Sequence, residues 1–308
     1  MVDTSTGARL VVPQRGATVD LSVIIVTYNV RDLLRVCLET LLASKGSFSY
    51  EVIVVDNRST DDTAMMVLRD FPNLQLIVSP VNGGYAYGNN LGIARSCGRY
   101  VLLLNPDTEL PPYALADMLE YMELRPWAGA VGPKLVRPDG SLDLACRRSF
   151  PTPEVALYRM LGLSRLFPRS RRFARYNMTY LDPDEPTDVD SVVGAFMLIR
   201  RKALEQVGLL DETFFMYGED LDLAYRLKQA GWRILYNPAV TVLHHKGESS
   251  KQRRLLTTYE FYRAMLVFYR KHFWRQNPLV LNCLVAGAIC SRGAFVLTRS
   301  LVEKVVNR

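Results

Sequence analysis

Three carboxylates, Glu219, Asp220 and Asp222, stand within four positions directly after the aromatic and apolar run Phe214-Phe215-Met216-Tyr217-Gly218. A carboxylate beside aromatic rings is partly desolvated, which raises its affinity for a proton and suits it to act as a general base. The same acids in a first helical turn would satisfy free backbone N–H groups and favour the helix dipole. Both readings fit this run in isolation. The elements upstream discriminate between them.

From Asp20 onward, short β-branched or leucine-rich runs alternate with helical patterns, the signature of a mostly parallel sheet with helices on its faces. The predicted strands are Leu21 to Thr27, Val52 to Val55, Leu74 to Val78, Tyr100 to Leu104 and Gly129 to Gly132. Helices are predicted from Arg31 to Ala43, where Leu33, Leu34, Cys37, Leu38 and Leu41 recur at helical spacing, and from the Ser59-Thr60-Asp61-Asp62 cap to about Phe71. In open sheets of this kind the ligand crevice lies outside the carboxyl ends of the strands. Thr27-Tyr28-Asn29, Asp56-Asn57 and Asn105-Pro106-Asp107 all fall there, so three polar clusters are expected to converge on one edge. Asp56 is placed to accept a hydrogen bond from a nucleobase or ribose. Asp107 projects a hard oxygen ligand, suited to magnesium or manganese bound with a diphosphate. The stretch from Asn82 to Asn90, with Gly83, Gly84, Gly88 and Asn89, reads as a glycine-rich loop ahead of a helix, permitting close backbone approach to an anionic group.

Residues 138 to 190 differ in character. Six prolines and the basic run from Arg165 to Arg175 predict irregular structure with short helices, an excursion on the lid or acceptor side. Regular patterning returns with a strand from Ser191 to Arg200, helices from Lys202 to Val207 and Leu221 to Ala230, and strands from Trp232 to Tyr236 and Thr241 to Leu243. From Lys251 an amphipathic helix carries Leu255, Tyr259, Tyr262, Leu266, Tyr269 and Phe273 at helical spacing. After Pro278 an apolar stretch runs to Ile289 before Ser291 and Arg292 interrupt it, short of the roughly 20 residues a spanning helix needs. An interfacial segment flanked by cations, packing on the body, or a homodimer contact each fits that stretch.

Composition narrows the class. With 308 residues and 49% hydrophobic content the chain is globular and large enough for one sizeable core. Its five cysteines form no CxxC pair, which predicts reduced, buried thiols in a cytoplasmic protein and argues against a zinc knuckle. The first twenty residues lack a sustained apolar segment, so no signal peptide is expected. From Lys246 to Arg308 twelve Lys or Arg face three Glu, so that tail holds +9 and the rest −2 of the net +7. A basic tail on a nearly neutral body fits an acidic surface as partner.

The ordered set Ile24-Ile25-Val26-Thr27-Tyr28-Asn29, Val54-Val55-Asp56-Asn57, the Asn82 to Asn90 segment, Asn105-Pro106-Asp107, Gly194-Ala195-Phe196 and Gly218-Glu219-Asp220 resembles the family-two glycosyltransferases of the GT-A fold, most closely their rhamnosyltransferase-type branch. The resemblance spans roughly Asp20 to Ser250. It implies a GT-A α/β domain over 20–250, with a nucleotide-sugar-binding half at 20–135 and an acceptor and catalytic half at 136–250. A flexible N-terminus at 1–19 and a basic helical tail at 251–308 flank it. It further implies that Thr27, Tyr28, Asn29, Asp56, Asn57, Gly83, Gly84, Asn89, Asn105 and Asp107 bind the donor nucleotide, and that Asp107 with His244, or failing that His245, holds a divalent metal. Asn105 stands where the usual motif has a first aspartate, leaving one charged ligand instead of two. Asp220 becomes the base of an inverting transfer, Glu219 an orienting group, Asp222 a helix cap, and Gly194, Ala195, Phe196 and Trp232 the acceptor side. The implied partners are a nucleotide-sugar, with dTDP-rhamnose ahead of UDP-sugars, and a glycan or polyprenyl-linked acceptor. No nucleic acid is implied, and the setting is cytoplasmic with peripheral contact to an anionic membrane through the tail. A sugar-phosphate nucleotidyltransferase and a non-catalytic nucleotide-sugar-binding subunit are the competing readings. The first lacks its glycine-rich, basic triphosphate signature after Asn29, and the second has no need of a base.

Overall fold

A computed structural model describes residues 8–12, 18–245 and 254–306. Strand β1 (Arg9–Leu10) falls within the N-terminal nineteen residues and adds to the edge of the sheet. There follow β2 (Val19–Thr27), α1 (Arg31–Leu42), β3 (Ser49–Asp56), α2 (Thr63–Asp70), β4 (Gln75–Val78), α3 (Gly84–Arg95), β5 (Gly98–Leu104), β6 (Thr108–Glu109), α4 (Ala114–Glu123) and β7 (Ala128–Val136). The second half contributes α5 (Pro153–Met160), α6 (Leu163–Leu166), β8 (Thr187–Val189), β9 (Phe196–Arg200), α7 (Arg201–Val207), α8 (Glu219–Gln229) and β10 (Arg233–His244). Two tail helices, α9 (Arg254–His272) and α10 (Leu279–Val306), complete the chain.

The strands form one sheet in the order β1-β3-β2-β5-β9-β7-β10-β6, with β4 also on β3 and β8 also on β10. Strands β2, β3 and β5 run parallel, whereas β9 lies antiparallel between β5 and β7 and so turns the second half of the sheet. Two reversals restore direction, so β7 and β10 again point the same way as β2, and the carboxyl ends of all five share one edge. The core strands are buried on both faces, which explains their unbroken apolar runs such as Val23 to Val26 and Val52 to Val55. Strand β10 is a single element where two strands are expected, because a bulge between Asn237 and Thr241 shifts its register on β7 without ending the pairing.

The structure revises other sequence expectations. The Asn82 to Asn90 stretch is mostly helix, since α3 begins at Gly84. Gly88 and Gly92 serve packing there: a Cβ would come within 2.7 Å of Val26 and 2.4 Å of Ile24, so α3 lies directly on β2. Residues 192–195 lie outside any strand, with a turn at Gly194-Ala195, and the strand predicted from Ser191 starts only at Phe196. Helix α10 runs unbroken through Ser291 and Arg292, because two polar positions in an otherwise apolar stretch do not stop a helix. Its segment Leu279–Val302 is 24 residues long, about 36 Å, and only 17% buried, so by length and composition it can cross a membrane. Cys283 and Cys290 lie exposed on it, while Cys37 and Cys146 are buried as expected.

Asp222 is no helix cap. It is fully buried, accepting from Arg226 Nε at 2.8 Å through Oδ2, with Lys271 Nζ and His272 Nε2 each 2.7 Å from Oδ1. Helix α9 docks around this charge, and Phe214, Leu221, Ala264, Phe268, Tyr269 and Phe273 build a second small core beneath it. The tail then folds back as an antiparallel hairpin, in which Tyr269 donates to Asn282 at 2.7 Å and Gly293 packs on Tyr262. Burial alone would raise the Asp222 pKa, but hydrogen bonds from His272 and Lys271 and the charge of Arg226 outweigh it and hold it at about 2. Its contribution is therefore present in full above the ordinary value of 3.8 and fades as pH falls toward about 2. Replacing Asp222 with Ala leaves Arg226, Lys271 and His272 around a buried gap and is expected to cost about 3 kcal/mol in urea unfolding at neutral pH. That deficit should shrink below pH 3.8; one under about 1 kcal/mol at neutral pH would show that the tail does not depend on this charge.

Candidate active site

Register brings the predicted clusters together. Thr27 pairs with Asp56 across β2 and β3, and Ile25 with Leu104 across β2 and β5, so the residues after each strand leave the sheet side by side. The Asn57 amide donates to the Thr27 carbonyl at 2.8 Å, and its side-chain Nδ2 to the Gly84 carbonyl at 2.9 Å, tying the first strand end to the start of α3. Buried Asp56 accepts from the Ser59 amide at 3.1 Å. Asn29, held at φ +51°, accepts from the Thr60 amide at 2.7 Å and fixes the turn after β2 to the turn after β3, with half-buried Tyr28 between them. Gly84 has φ +88°, and a Cβ there would sit 2.2 Å from the Phe215 carbonyl oxygen, the same oxygen that takes the Tyr85 amide at 2.8 Å. The start of α3 is thus spent on the loop that leads into α8, with Gly83 just ahead of it, and Asn89 is buried one turn inside the helix.

Antiparallel pairing of β6 on β10 sets Thr108 opposite His244, and the His245 amide donates to the Asp107 carbonyl at 2.8 Å. His244 Nε2 consequently lies 3.4 Å from Asp107 Oδ1, and its Nδ1 lies 3.1 Å from Oδ2 of fully buried Asp143. Burial pushes the His244 pKa down, but the two carboxylates outweigh it and raise it to about 9. His245 instead meets Glu109 at 2.5 Å. Asp107 Oδ1 is buried without a well-aligned hydrogen bond. A hard oxygen and an imidazole nitrogen so placed fit a divalent cation, with Asp143 orienting the ring as carboxylates behind metal-bound histidines do. Among the described residues no group of three or more acids, His or Cys could hold a metal alone, so the remaining donors would come from substrate or water.

The acidic run closes the site. Glu219, Asp220 and Asp222 are all buried at the start of α8, behind Tyr217 and Gly218, both at positive φ. Asp220 Oδ2 accepts from Arg148 Nη2 at 2.6 Å and from the Gly194 amide at 3.1 Å, while Oδ1 accepts from the Leu221 amide at 2.7 Å. Glu219 keeps Oε2 buried without a partner, and burial together with the Asp220 charge raises its pKa to about 8. Tyr85 links the two acidic centres. Its hydroxyl donates to the Gly194 carbonyl at 2.7 Å, and burial with the nearby charges of Glu219, Asp220 and Asp107 holds its pKa well above 10.0. Ala195 accepts from the Asn105 amide at 3.0 Å, so the Gly194-Ala195 turn is the strut between the Asp107 loop and Asp220. Phe196 is buried in β9 opposite Leu104, a supporting position. Trp232 lies at the opposite end of the sheet, beside Gly129 and bonded to Gln206, and does not join the site.

Nine buried side-chain atoms among the described residues lack a hydrogen bond, and five belong to Thr27, Asn57, Asn89, Asp107 and Glu219. Folded proteins satisfy nearly all such atoms internally, so their concentration on one sheet edge marks a surface built to meet a polar ligand. Sequence reasoning missed Arg148, Asp143 and Tyr85. The adjacent Arg147-Arg148 beside apolar Cys146 was a visible signal of buried cations, while Asp143 carried none before β10 was placed next to β7.

Comparison with known proteins accords with this geometry. The family model described as Glycosyl transferase family 2 matches residues 22–208. An N-acetylglucosaminyl-diphospho-decaprenol L-rhamnosyltransferase of Mycobacterium tuberculosis is 32% identical over 295 residues, covering 91% of this chain and 94% of that protein. Rhamnosyltransferase WbbL of Escherichia coli is 28% identical, over 74% of this chain and 84% of its own. Among solved structures, the mannosyltransferase PcManGT from Pyrobaculum calidifontis, in complex with GDP-Man and Mn2+, superposes with TM-score 0.56 at 16% identity, covering 96% of this chain and 83% of that one. Staphylococcus aureus TarS 1-349 superposes with TM-score 0.54 at 16% identity, over 91% and 73%. The fold is GT-A, and the chain belongs to glycosyl transferase family 2, as a glycosyltransferase whose relatives include rhamnosyltransferases.

Proposed function

We propose that this glycosyltransferase moves a sugar, with dTDP-rhamnose the leading donor, onto a hydroxyl of a polyprenyl-linked or glycan acceptor with inversion at the anomeric carbon. The donor class and acceptor class follow the Mycobacterium tuberculosis relative, whose name specifies an L-rhamnosyl group and a decaprenol-linked acceptor. The single observation that carries the reading is the Gly194-Ala195 turn that joins two acidic centres: the Asp107 loop with His244 through Asn105 on one side, Asp220 beside Glu219 on the other. Thr27, Tyr28, Asn29, Asp56 and Asn57 frame the nucleoside. Asp107 and His244 would hold a divalent cation, which when bound offsets charge on the leaving diphosphate. Asp220 takes the acceptor hydroxyl proton as that oxygen bonds to the anomeric carbon and the bond to the diphosphate oxygen breaks on the opposite face. Glu219, protonated at neutral pH, donates a hydrogen bond that orients the acceptor. Helix α10 lies in or on the bilayer from which a lipid-linked acceptor is presented, a reading supported by its length and low burial.

Replacing Asp220 with Asn is expected to lower transfer at least a hundredfold while donor affinity, read by calorimetry, stays within a few-fold. Unaltered transfer would remove Asp220 from the mechanism. Buried Arg148 acts by positioning Asp220, so Arg148→Met should lower kcat by about ten- to a hundredfold at unchanged donor affinity, with Arg148→Lys recovering part of it. A drop in Tm with no change in kcat would reduce Arg148 to a structural pair. For Glu219, ionisation above about pH 8 adds a second charge beside Asp220, so transfer should decline there. Glu219→Gln, which keeps a neutral donor, should retain most activity at pH 7 and show no such decline; a matching decline in both enzymes would assign it to another group.

A further inference from the structure

The excursion between β7 and β8 carries a surface that the transfer site does not use. From Val155 to Tyr180 there are six arginines, Arg159, Arg165, Arg169, Arg171, Arg172 and Arg175, and no Asp or Glu. All six are exposed, and Arg165, Arg169 and Arg171 pair with no acidic side chain among the described residues. With Glu154 at the start of α5, which pairs with Arg172, the patch holds +5 on a body whose first 245 residues sum to −2, so the charge is a local concentration. Between the arginines stand exposed apolar side chains: Leu157 at 46%, Leu161 at 64%, Leu166 at 69% and Phe167 at 46%. Single exposed leucines are ordinary on soluble surfaces, but four large apolar groups within eleven residues, set among cations, are not.

The patch has a built base. Phe173 packs edge-on against Tyr158 with centroids 4.9 Å apart and lies 5.5 Å from Phe167, and Arg172 Nε donates to the Tyr158 hydroxyl at 2.7 Å. These contacts join α5 to the turn after α6 as one platform. The segment leaves the body at Phe150, whose ring lies 5.0 Å from Tyr225 and 6.4 Å from Phe268, in the cluster against which α9 and Val285 of α10 also pack. The apolar helix α10 and this patch are therefore rooted in the same corner of the molecule.

We propose that residues 157–175 form a second membrane-docking surface, separate from the tail, which lies in the headgroup layer of an anionic bilayer. The leucines and Phe167 enter the acyl boundary while the arginines meet lipid phosphates. Charge complementarity and the aliphatic character of the exposed groups together select this partner. A nucleic acid would meet the cations but offers leucine no hydrocarbon, and the patch presents one exposed ring for stacking. Two rooted contacts, α10 and this platform, would hold the enzyme in a fixed attitude to the bilayer where one helix would let it swivel.

The test uses the full chain with Cys283 and Cys290 replaced by Ser and an environment-sensitive fluorophore on Leu166→Cys. Bound to phosphatidylcholine vesicles containing phosphatidylglycerol, the label should shift to the blue and be quenched by lipids brominated in the acyl chain. With phosphatidylcholine alone, or at high salt, that response should be largely lost. Replacing Arg165, Arg169 and Arg171 with Gln should lower the insertion constant read from this emission about a hundredfold. The proposal is overturned if the label stays water-exposed on vesicles that the protein demonstrably binds, or responds equally without anionic lipid. It is also overturned if the label shifts on raising protein concentration in the absence of vesicles, which would make the patch a contact between copies. The Asp220→Asn chain keeps this surface intact and should insert like the unaltered chain, so failure of the sugar-transfer reading and failure of this one are separately visible.

Discussion

A buried carboxylate must find a cation or keep its proton, and three of them at the start of α8 impose that constraint on most of the second half of the chain. Asp222 meets it with Arg226, Lys271 and His272, and in doing so draws the tail helix onto the body. Asp220 meets it with Arg148, and so anchors the return of the proline-rich excursion, whose neighbouring Arg147 is itself spent on the Asp182 and Leu181 carbonyls. Glu219 meets it with a proton affinity raised by burial and by the Asp220 charge, with one oxygen left over. Three solutions to one electrostatic problem thus produce a docked tail, a carboxylate fixed on Arg148 and a carboxyl of raised proton affinity.

The other acidic centre depends on the sheet. Asp107 and His244 are 137 positions apart, and only the antiparallel pairing of the two-residue strand β6 with the end of β10 sets them together. That pairing works because β9 reverses the sheet between β5 and β7, which returns β10 to the orientation of β2. The Gly194-Ala195 turn then bridges the centres with its own backbone, the Ala195 carbonyl accepting from the Asn105 amide and the Gly194 amide donating to the Asp220 carboxylate. A side chain at Gly194 would sit 3.0 Å from the Tyr85 hydroxyl, so the strut must be narrow.

Much of this was legible because strand ends announce themselves. Thr27, Asp56 and Asn105 each follow an apolar run, and the parallel register could be inferred from the alternation with helices. The Asn82 to Asn90 stretch misled because glycines that allow a helix to lie against a strand look the same in sequence as glycines that cradle an anion. Trp232 misled because a ring close to α8 in sequence lies at the far end of the sheet from the acidic start of that helix. The apolar stretch read as ending before Ser291 and Arg292 proved longer, since helix continuity depends on backbone bonds and two polar side chains leave those intact.

By itself the sequence determined the polar clusters, their order, the family they resemble and the acidic run that opens α8, because these rest on residue type and on distances of a few positions. Tertiary structure alone decided the surroundings of each acid. Proton affinity depends on burial and on neighbouring charge, and the partners that separate Glu219, Asp220 and Asp222 come from residues up to 72 positions away. A carboxylate run written as one motif became three different groups only once Arg148, Lys271 and His272 had been folded against it.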